Sequence, residues 1–152
     1  MSPEGSNREA EPLALDDSGA HLASFDLPTD GLAPTQARRA VEQLLLTKWY
    51  VQDQRLLDDV ILLTSELVTN AVRYGGDGVT LRIALRADVI EVSVEDRSPS
   101  LPARPAVVAE NPYREGGRGL LIVSELASEW GIDEKPLEGK RVWARLPRST
   151  QG

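Results

Sequence analysis

Apolar residues that follow Pro34 recur at steps of three and four, which is the spacing of one side of a helix. Ala37, Val41 and Leu44 lie on that side, and the pattern continues to Lys48. Proline suits the first turn of a helix, because its missing N–H would have no partner there. The pattern therefore predicts a helix of about four turns.

A second and longer helical pattern runs from Asp53 to Tyr74. An aspartate before the first turn can accept hydrogen bonds from unpaired backbone amides, and Gly75 and Gly76 can end the helix. The apolar side is broad, so the helix is expected to pack on a sheet. That side carries Leu56, Leu57, Val60, Ile61, Leu63, Leu67, Val68, Ala71 and Val72.

Strict alternation of apolar and polar residues marks two strands in the middle of the chain. It runs from Val79 to Leu85 and resumes from Ile90 to Val94, after a short connection at Ala87 and Asp88. Two alternating runs joined by so short a connection predict an antiparallel hairpin.

Shorter apolar stretches complete the predicted elements. They are strands at His21 to Leu27, Trp130 to Asp133 and Lys140 to Leu146, and a helix from Leu120 to Ala127. Together these elements predict an α+β fold. We expect a two-layer sandwich in which a mixed, mostly antiparallel sheet of about five strands is covered on one face by three helices.

The composition divides the chain into three segments. Residues 1–19 are acidic, rich in Pro, Ser and Gly and without apolar periodicity, which predicts a disordered tail. Residues 20–148 are expected to form one domain, followed by a C-terminal tail at residues 149–152. Within the domain, residues 97–117 hold four prolines and no sustained period, and a loop of that length is usually functional.

Charge and cysteine content exclude several classes of function. The chain has no cysteine, so disulfides, thiolate metal sites and cysteine nucleophiles are excluded. Its net charge of -7 would repel a phosphate backbone, so direct binding of nucleic acid is not expected. The longest apolar run is four residues and the N-terminus lacks a signal core, so a cytoplasmic protein that does not contact membranes is expected.

Glu66 and Asn70 are candidates for chemistry, because residues four apart on a helix lie about 5 to 6 Å from each other on one face. Beside a bound phosphate, the carboxylate could act as a general base and the amide oxygen could ligate Mg²⁺. Taken alone, the pair is more simply explained as part of a solvated face that also carries Asp59, Thr69 and Arg73.

Two further motifs could contact a ligand. Asp96 follows a strand, where a carboxylate can accept a hydrogen bond from an exocyclic amine, although its neighbours also suit an ordinary turn. The stretch from Glu115 to Val123 places glycines before a helix, where backbone amides can approach an anion and Arg118 could add charge. A simple turn explains the same glycines. The chain has neither GxxxxGK[ST] nor GxGxxG, which disfavours Walker-type and Rossmann-type sites.

The order of these motifs resembles the three sequence boxes of the GHKL ATPase superfamily. More closely, the chain resembles the stand-alone ATP-binding regulators of the anti-sigma factor serine/threonine kinase family, in the actinomycete form. The likeness is carried by SELVTNAVRY at 65–74, VEDRSPSLP at 94–102, GGRGLLIVSELASEWGI at 116–132 and GKRVWARLP at 139–147. The chain departs from the family pattern at Tyr74, where many relatives have histidine, and at residues 96–100, which read DRSPS in place of DxGxG.

The resemblance implies a role for each matching residue, with ATP and Mg²⁺ as cofactors. Glu66 would polarise the attacking hydroxyl as the catalytic base, Asn70 would hold Mg²⁺ against the phosphates, and Asp96 would read the adenine amine. Residues 101–116 would close over the nucleotide. The implied nucleotide-binding positions are Asn70, Arg73, Asp96, Ser98, Gly116, Gly117, Arg118, Gly119 and Leu120.

The same resemblance implies an ATP-dependent protein serine/threonine kinase that phosphorylates a STAS-type antagonist and sequesters a sigma factor, with a homodimer among the expected assemblies. The alternative is a nucleotide-gated protein-binding module without effective kinase activity, which Tyr74 mildly supports. A histidine kinase core is disfavoured, because the only histidine, His21, is not on a predicted helix.

Overall fold

The computed structural model describes residues 14–15, 20–74, 78–96, 118–135 and 139–148. Its secondary-structure elements, in chain order, are β1 (Ala14–Leu15), β2 (His21–Leu27), α1 (Ala33–Gln43) with a π-helical continuation (Leu44–Lys48), α2 (Gln54–Tyr74), β3 (Val79–Leu85), β4 (Val89–Asp96), α3 (Arg118–Leu126), β5 (Glu129–Lys135) and β6 (Gly139–Pro147).

The strands form a sheet in the order β1-β2-β3-β4-β6-β5. The predicted hairpin is confirmed: β3 and β4 pair from Val79 opposite Asp96 to Leu85 opposite Ile90. A sheet of mixed direction was expected, but every strand pair in the described parts of the chain is antiparallel. The strand that follows α3 in the chain, β5, lies at the edge of the sheet and does not pair with β4. The last strand, β6, lies between β4 and β5 and pairs with both.

Helices cover one face of this sheet and enclose the core. Along β4, alternate residues Ile90, Val92 and Val94 are buried, and α2 packs against this strand. The register places Leu146, Ala144 and Val142 of β6 beside them, and these residues are buried too. An apolar row shared by two strands and covered by helices is the arrangement of a two-layer α+β sandwich, so the predicted fold class is confirmed.

The two long helices begin where the sequence predicts. Pro34 lies in the first turn of α1. Before α2, the Asp53 carboxylate Oδ1 accepts hydrogen bonds from the backbone amides of Arg55 and Leu56, each at 3.1 Å. This is the cap expected from the sequence, and it satisfies amides that the first turn of a helix leaves unpaired.

The end of the first helix differs from a regular α-helix. After Gln43 the chain continues as a π-helical turn, in which the Trp49 amide donates to the Leu44 carbonyl at 3.0 Å. Tyr50 then adopts a left-handed backbone conformation with φ of 50°, and the Val51 amide donates to the Leu45 carbonyl at 2.7 Å. These contacts turn the chain back toward α2 and bury Val51 in the core.

Of the segment predicted as an acidic tail, the structure describes only Ala14–Leu15, which pair with Leu22 and His21 of β2. The bounds predicted for the domain and for its two tails stay predictions. None of the helices described is long and apolar enough to cross a membrane.

Candidate functional site

The central helix α2 presents the acid and amide singled out from the sequence. Glu66 and Asn70 lie one turn apart in its second half, and both are half-buried. Both α1 and α3 pack against this helix. The pair therefore lies at the margin of the packed helical layer, not on a fully solvated face, while Arg73 in the last turn is exposed.

Asp96 lies at the end of β4 and is buried, with 4% of its surface exposed. Successive side chains of a strand point to opposite faces, so Asp96 continues the row of Ile90, Val92 and Val94 on the side covered by helices. Its carboxylate Oδ2 accepts a hydrogen bond from the Lys140 ammonium Nζ at 2.7 Å. A carboxylate is thus held at the end of an otherwise apolar row.

The chain path brings the end of α2 to the same end of the molecule as Asp96. The helix ends at Tyr74 and β3 begins at Val79, so the two residues lie at most about 18 Å apart. Val79 is the residue that pairs with Asp96. The half of α2 that carries Glu66 and Asn70 is therefore the half that the chain connects to the strand position beside Asp96.

The C-terminal end of α3 is attached to the sheet at a distance from Asp96. After the helix, the Ser128 amide donates a hydrogen bond to the Arg145 carbonyl at 2.8 Å. Arg145 of β6 is the cross-strand partner of Glu91 on β4. Glu91 lies five residues before Asp96 on the same strand, a distance of about 17 Å. A helix of nine residues is about 13 Å long, and α3 packs along α2. The first backbone amides of α3, from Arg118 onward, have no partner within the helix and lie at its opposite end from this contact.

The predicted site residues thus divide into described and undescribed groups. Glu66, Asn70 and Arg73 are on α2, and Asp96 ends β4. The first three residues of α3 are Arg118, Gly119 and Leu120, of which the structure gives the backbone. The remaining predicted positions, which are Ser98, Gly116, Gly117 and the loop at 101–116, lie outside the described residues.

Lys140 is the residue of this site that sequence reasoning missed. A signal for it was present, because Lys140 has the same strand parity as Val142, Ala144 and Leu146, all of which face the core. A lysine on the apolar side of a strand indicates a buried partner. Finding that partner required the register between β4 and β6.

The described side chains suit an adenine nucleotide. The buried carboxylate can accept a hydrogen bond from an exocyclic amine, and the Asn70 side chain offers an oxygen to a hard cation. Among the residues that the structure describes, no group of three or more His, Cys, Asp or Glu side chains could hold a metal ion.

Most of the chain is similar to one family of ATPase domains. No curated protein matches the chain. The family model of the histidine kinase-like ATPase domain matches residues 29–146, which is more than half of the chain and includes α1, α2, the β3–β4 hairpin, α3 and nearly all of β6. The chain therefore belongs to the histidine kinase-like ATPase domain family, of the GHKL type.

Proposed function

We propose that the protein is an ATP-dependent protein serine/threonine kinase that phosphorylates a STAS-type antagonist and sequesters a sigma factor. Membership of an ATPase domain family supports ATP binding. The observation that carries the proposal is the buried carboxylate of Asp96 at the end of β4, the strand against which α2, the helix of Glu66 and Asn70, packs. In the proposed site, Asp96 would accept a hydrogen bond from the adenine amine, and Glu66 and Asn70 would act at the phosphates.

In the proposed reaction, the Glu66 carboxylate accepts the proton of a serine hydroxyl on the antagonist as that oxygen bonds to the γ-phosphorus of ATP. The bond from the γ-phosphorus to the bridging oxygen breaks, and ADP leaves with its electrons. Mg²⁺, when bound, neutralises charge on the phosphates. The Asn70 side-chain oxygen would hold the cation, and the first amides of α3 would bind phosphate oxygens.

The second candidate is a nucleotide-gated binding module without effective transfer. Tyr74 favours it, because many members of the anti-sigma factor kinase family that the chain resembles have a histidine at this position. A histidine kinase that phosphorylates itself on His21 is not supported. His21 lies on β2, with its ring centroid 5.9 Å from that of Trp49, and not on a helix.

Phosphotransfer tests the two candidates. Purified protein is incubated with Mg²⁺, ATP labelled at the γ-phosphate and candidate STAS-type antagonists, and phosphoserine is measured on the antagonist. We expect labelled phosphoserine with the wild type. Glu66→Gln should bind ATP like the wild type but transfer about 100-fold or more slowly, because a general base typically contributes that much.

Glu42→Gln is the matched control, because it makes the same chemical change at an exposed position of α1. It should transfer phosphate at the wild-type rate. Transfer by Glu66→Gln at the wild-type rate would show that Glu66 is not the base. ATP binding by the wild type without transfer to any antagonist would favour the binding module.

A further inference from the structure

We propose that Lys140 is a positioning residue for adenine recognition: its ammonium group fixes the Asp96 carboxylate in the orientation that selects a 6-aminopurine over a 6-oxopurine. This inference rests on the proposed ATP site. It adds a specificity-determining residue from β6, a strand that otherwise provides only the core and the outer face of the sheet.

The geometry of the pair is that of a buried, directly bonded ion pair. Lys140 Nζ lies 2.7 Å from Asp96 Oδ2, and the two side chains are 10% and 2% exposed. The two residues are direct cross-strand partners in the register of β4 and β6. Because both strands are paired on their other edges as well, the backbone positions of both groups are fixed by the sheet.

Folding alone gives little reason for this lysine. It continues the inward row of Val142, Ala144 and Leu146, where an apolar side chain would extend the core. Replacing a buried ion pair with well-packed apolar residues is often neutral or stabilising, so burying the pair is not an efficient route to stability. A role for the carboxylate that depends on its orientation explains the lysine better.

The outer face of the same two strands provides a contrast. There Glu95 pairs with Arg82 of β3, and Glu91 pairs with Arg141; the two arginine side chains are 49% and 28% exposed. Such pairs are usual on a solvated sheet surface. The Asp96–Lys140 pair is on the opposite side, facing the helices that carry the proposed catalytic groups.

The chemistry of the purine explains what the lysine would do. Adenine presents a 6-amine that donates a hydrogen bond, whereas hypoxanthine presents a 6-oxygen that accepts one. A carboxylate can accept several hydrogen bonds through its two oxygens, so a bond from Lys140 is compatible with one from the 6-amine. A fixed carboxylate would favour the amine and repel the 6-oxygen, while a carboxylate free to rotate would discriminate less.

The test compares the affinities of ATP and inosine triphosphate, measured by calorimetry in the presence of Mg²⁺. The wild type should bind ATP more tightly. In Lys140→Met, ATP affinity should fall about tenfold, as for one hydrogen bond to a buried group, while affinity for inosine triphosphate changes less than about twofold. The ratio of the two affinities should therefore shrink.

Arg141→Gln is the matched control, because Arg141 is the next residue of the strand but lies on the outer face, where it bonds Glu91 and Asp133. It should keep the wild-type ratio. Circular dichroism establishes that each variant is folded. If Lys140→Met does not fold, Lys140→Arg is measured in its place, because it keeps the charge but places its hydrogen-bond donors differently. The ratio of ATP affinity to inosine triphosphate affinity in Lys140→Arg should be at least about twofold below that of the wild type.

An unchanged ratio in the folded Lys140 variant would overturn the inference. Failure of the wild type to bind ATP would instead overturn the proposed ATP site itself. The two outcomes are distinguishable, because the affinity ratio of the Lys140 variant is interpreted only after the wild type has been shown to bind ATP and to prefer it to inosine triphosphate.

Discussion

At the scale of single residues, Tyr50 shows how the chain accepts local strain at a turn. Its φ of 50° lies in the left-handed region, where a Cβ atom approaches the backbone and the cost is about 1 to 2 kcal/mol for an L-residue. The residue is 70% exposed, so it contributes little burial in return. The strain is accepted because this residue directs the chain from the π-helical turn to buried Val51.

We expect Tyr50→Gly to stabilise the protein by up to about 1 kcal/mol, because glycine adopts positive φ without the steric cost. The free energy of unfolding, measured by urea titration, checks this. Tyr50→Ala is the control: it removes the same ring but keeps the Cβ atom, so it should give no gain. Equal stabilisation by both variants would show that the ring, not the backbone, is unfavourable.

Also at this scale, the places of individual residues at the ends of elements could be predicted better than their partners. Asp96 could be predicted from its place after an alternating strand, and Asp53 from its place before a helix. Lys140 could not be matched to Asp96 from the sequence, because that pairing depends on the register of strands separated by the long loop and α3. Local patterns determine which face a residue occupies, and tertiary pairing determines what it meets there.

At the scale of elements, Gly131 and Trp143 form a contact between β5 and β6 that leaves no room for a larger residue. The two residues are cross-strand partners, and a Cβ atom on Gly131 would lie 2.7 Å from Cζ2 of the Trp143 ring. The indole therefore covers the glycine backbone, while the Arg145 guanidinium lies 4.8 Å from the centre of the same ring.

Gly131→Ala should destabilise the protein by about 1 to 3 kcal/mol, because the new methyl group forces the indole to move. Thermal unfolding followed by circular dichroism measures the loss. Gly31→Ala is the matched control, since a Cβ there meets no atom within 4 Å, and it should be neutral. A loss of the same size in both variants would contradict the steric explanation.

A charged network joins three strands on the outer face of the sheet. The Glu91 carboxylate of β4 accepts hydrogen bonds from Arg141 Nη2 at 2.6 Å and Arg145 Nε at 2.9 Å on β6. These arginines also reach Asp133 and Glu129 on β5. The hydrogen bond from Arg145 to Glu91, and then the one to Glu129, raise the pKa of Arg145 above its usual range.

We expect Glu91→Gln to reduce the free energy of unfolding by about 1 to 2 kcal/mol, because the Glu91 side chain is only 11% exposed and serves two arginines. Glu129→Gln is the matched control, since it contacts the same Arg145 but is 60% exposed, and it should cost less than about 0.5 kcal/mol. Urea titration measures both. Equal losses would show that burial does not determine the strength of these pairs.

The elements themselves were largely predictable. The hairpin, the broad apolar face of α2 and the strand at His21–Leu27 follow from periodicity, and the structure confirms them. The π-helical turn after Gln43 was not predictable, because its residues continue a regular helical pattern and only packing selects the wider turn. The position of β6 between β4 and β5 was also hidden, since apolar alternation does not specify neighbours.

At the scale of the whole molecule, nucleotide binding should appear as added stability. A ligand that binds only the folded state stabilises it by about 2.7 kcal/mol at a concentration 100 times its Kd. We expect ATP with Mg²⁺ to raise the Tm of the wild type more than ATP with a chelator does. Asn70→Ala should lose the difference between the two conditions, because its side-chain oxygen would hold the cation.

The control for this measurement is Asp58→Asn, an exposed position three turns earlier on the same helix. It should keep the Mg²⁺-dependent increment in Tm. If Asn70→Ala kept it as well, Asn70 would not be a ligand of the metal.

The strand β5 lies at the edge of the sheet, and this position bears on aggregation. Within the described residues it pairs with β6 alone, so its other edge presents backbone donors and acceptors to any passing strand. Glu129, Asp133 and Glu134 are exposed along it. Charged side chains along an edge strand are a common safeguard against aggregation. Replacing these acidic residues with neutral ones would make the edge strand more prone to pair with strands of other molecules and to aggregate.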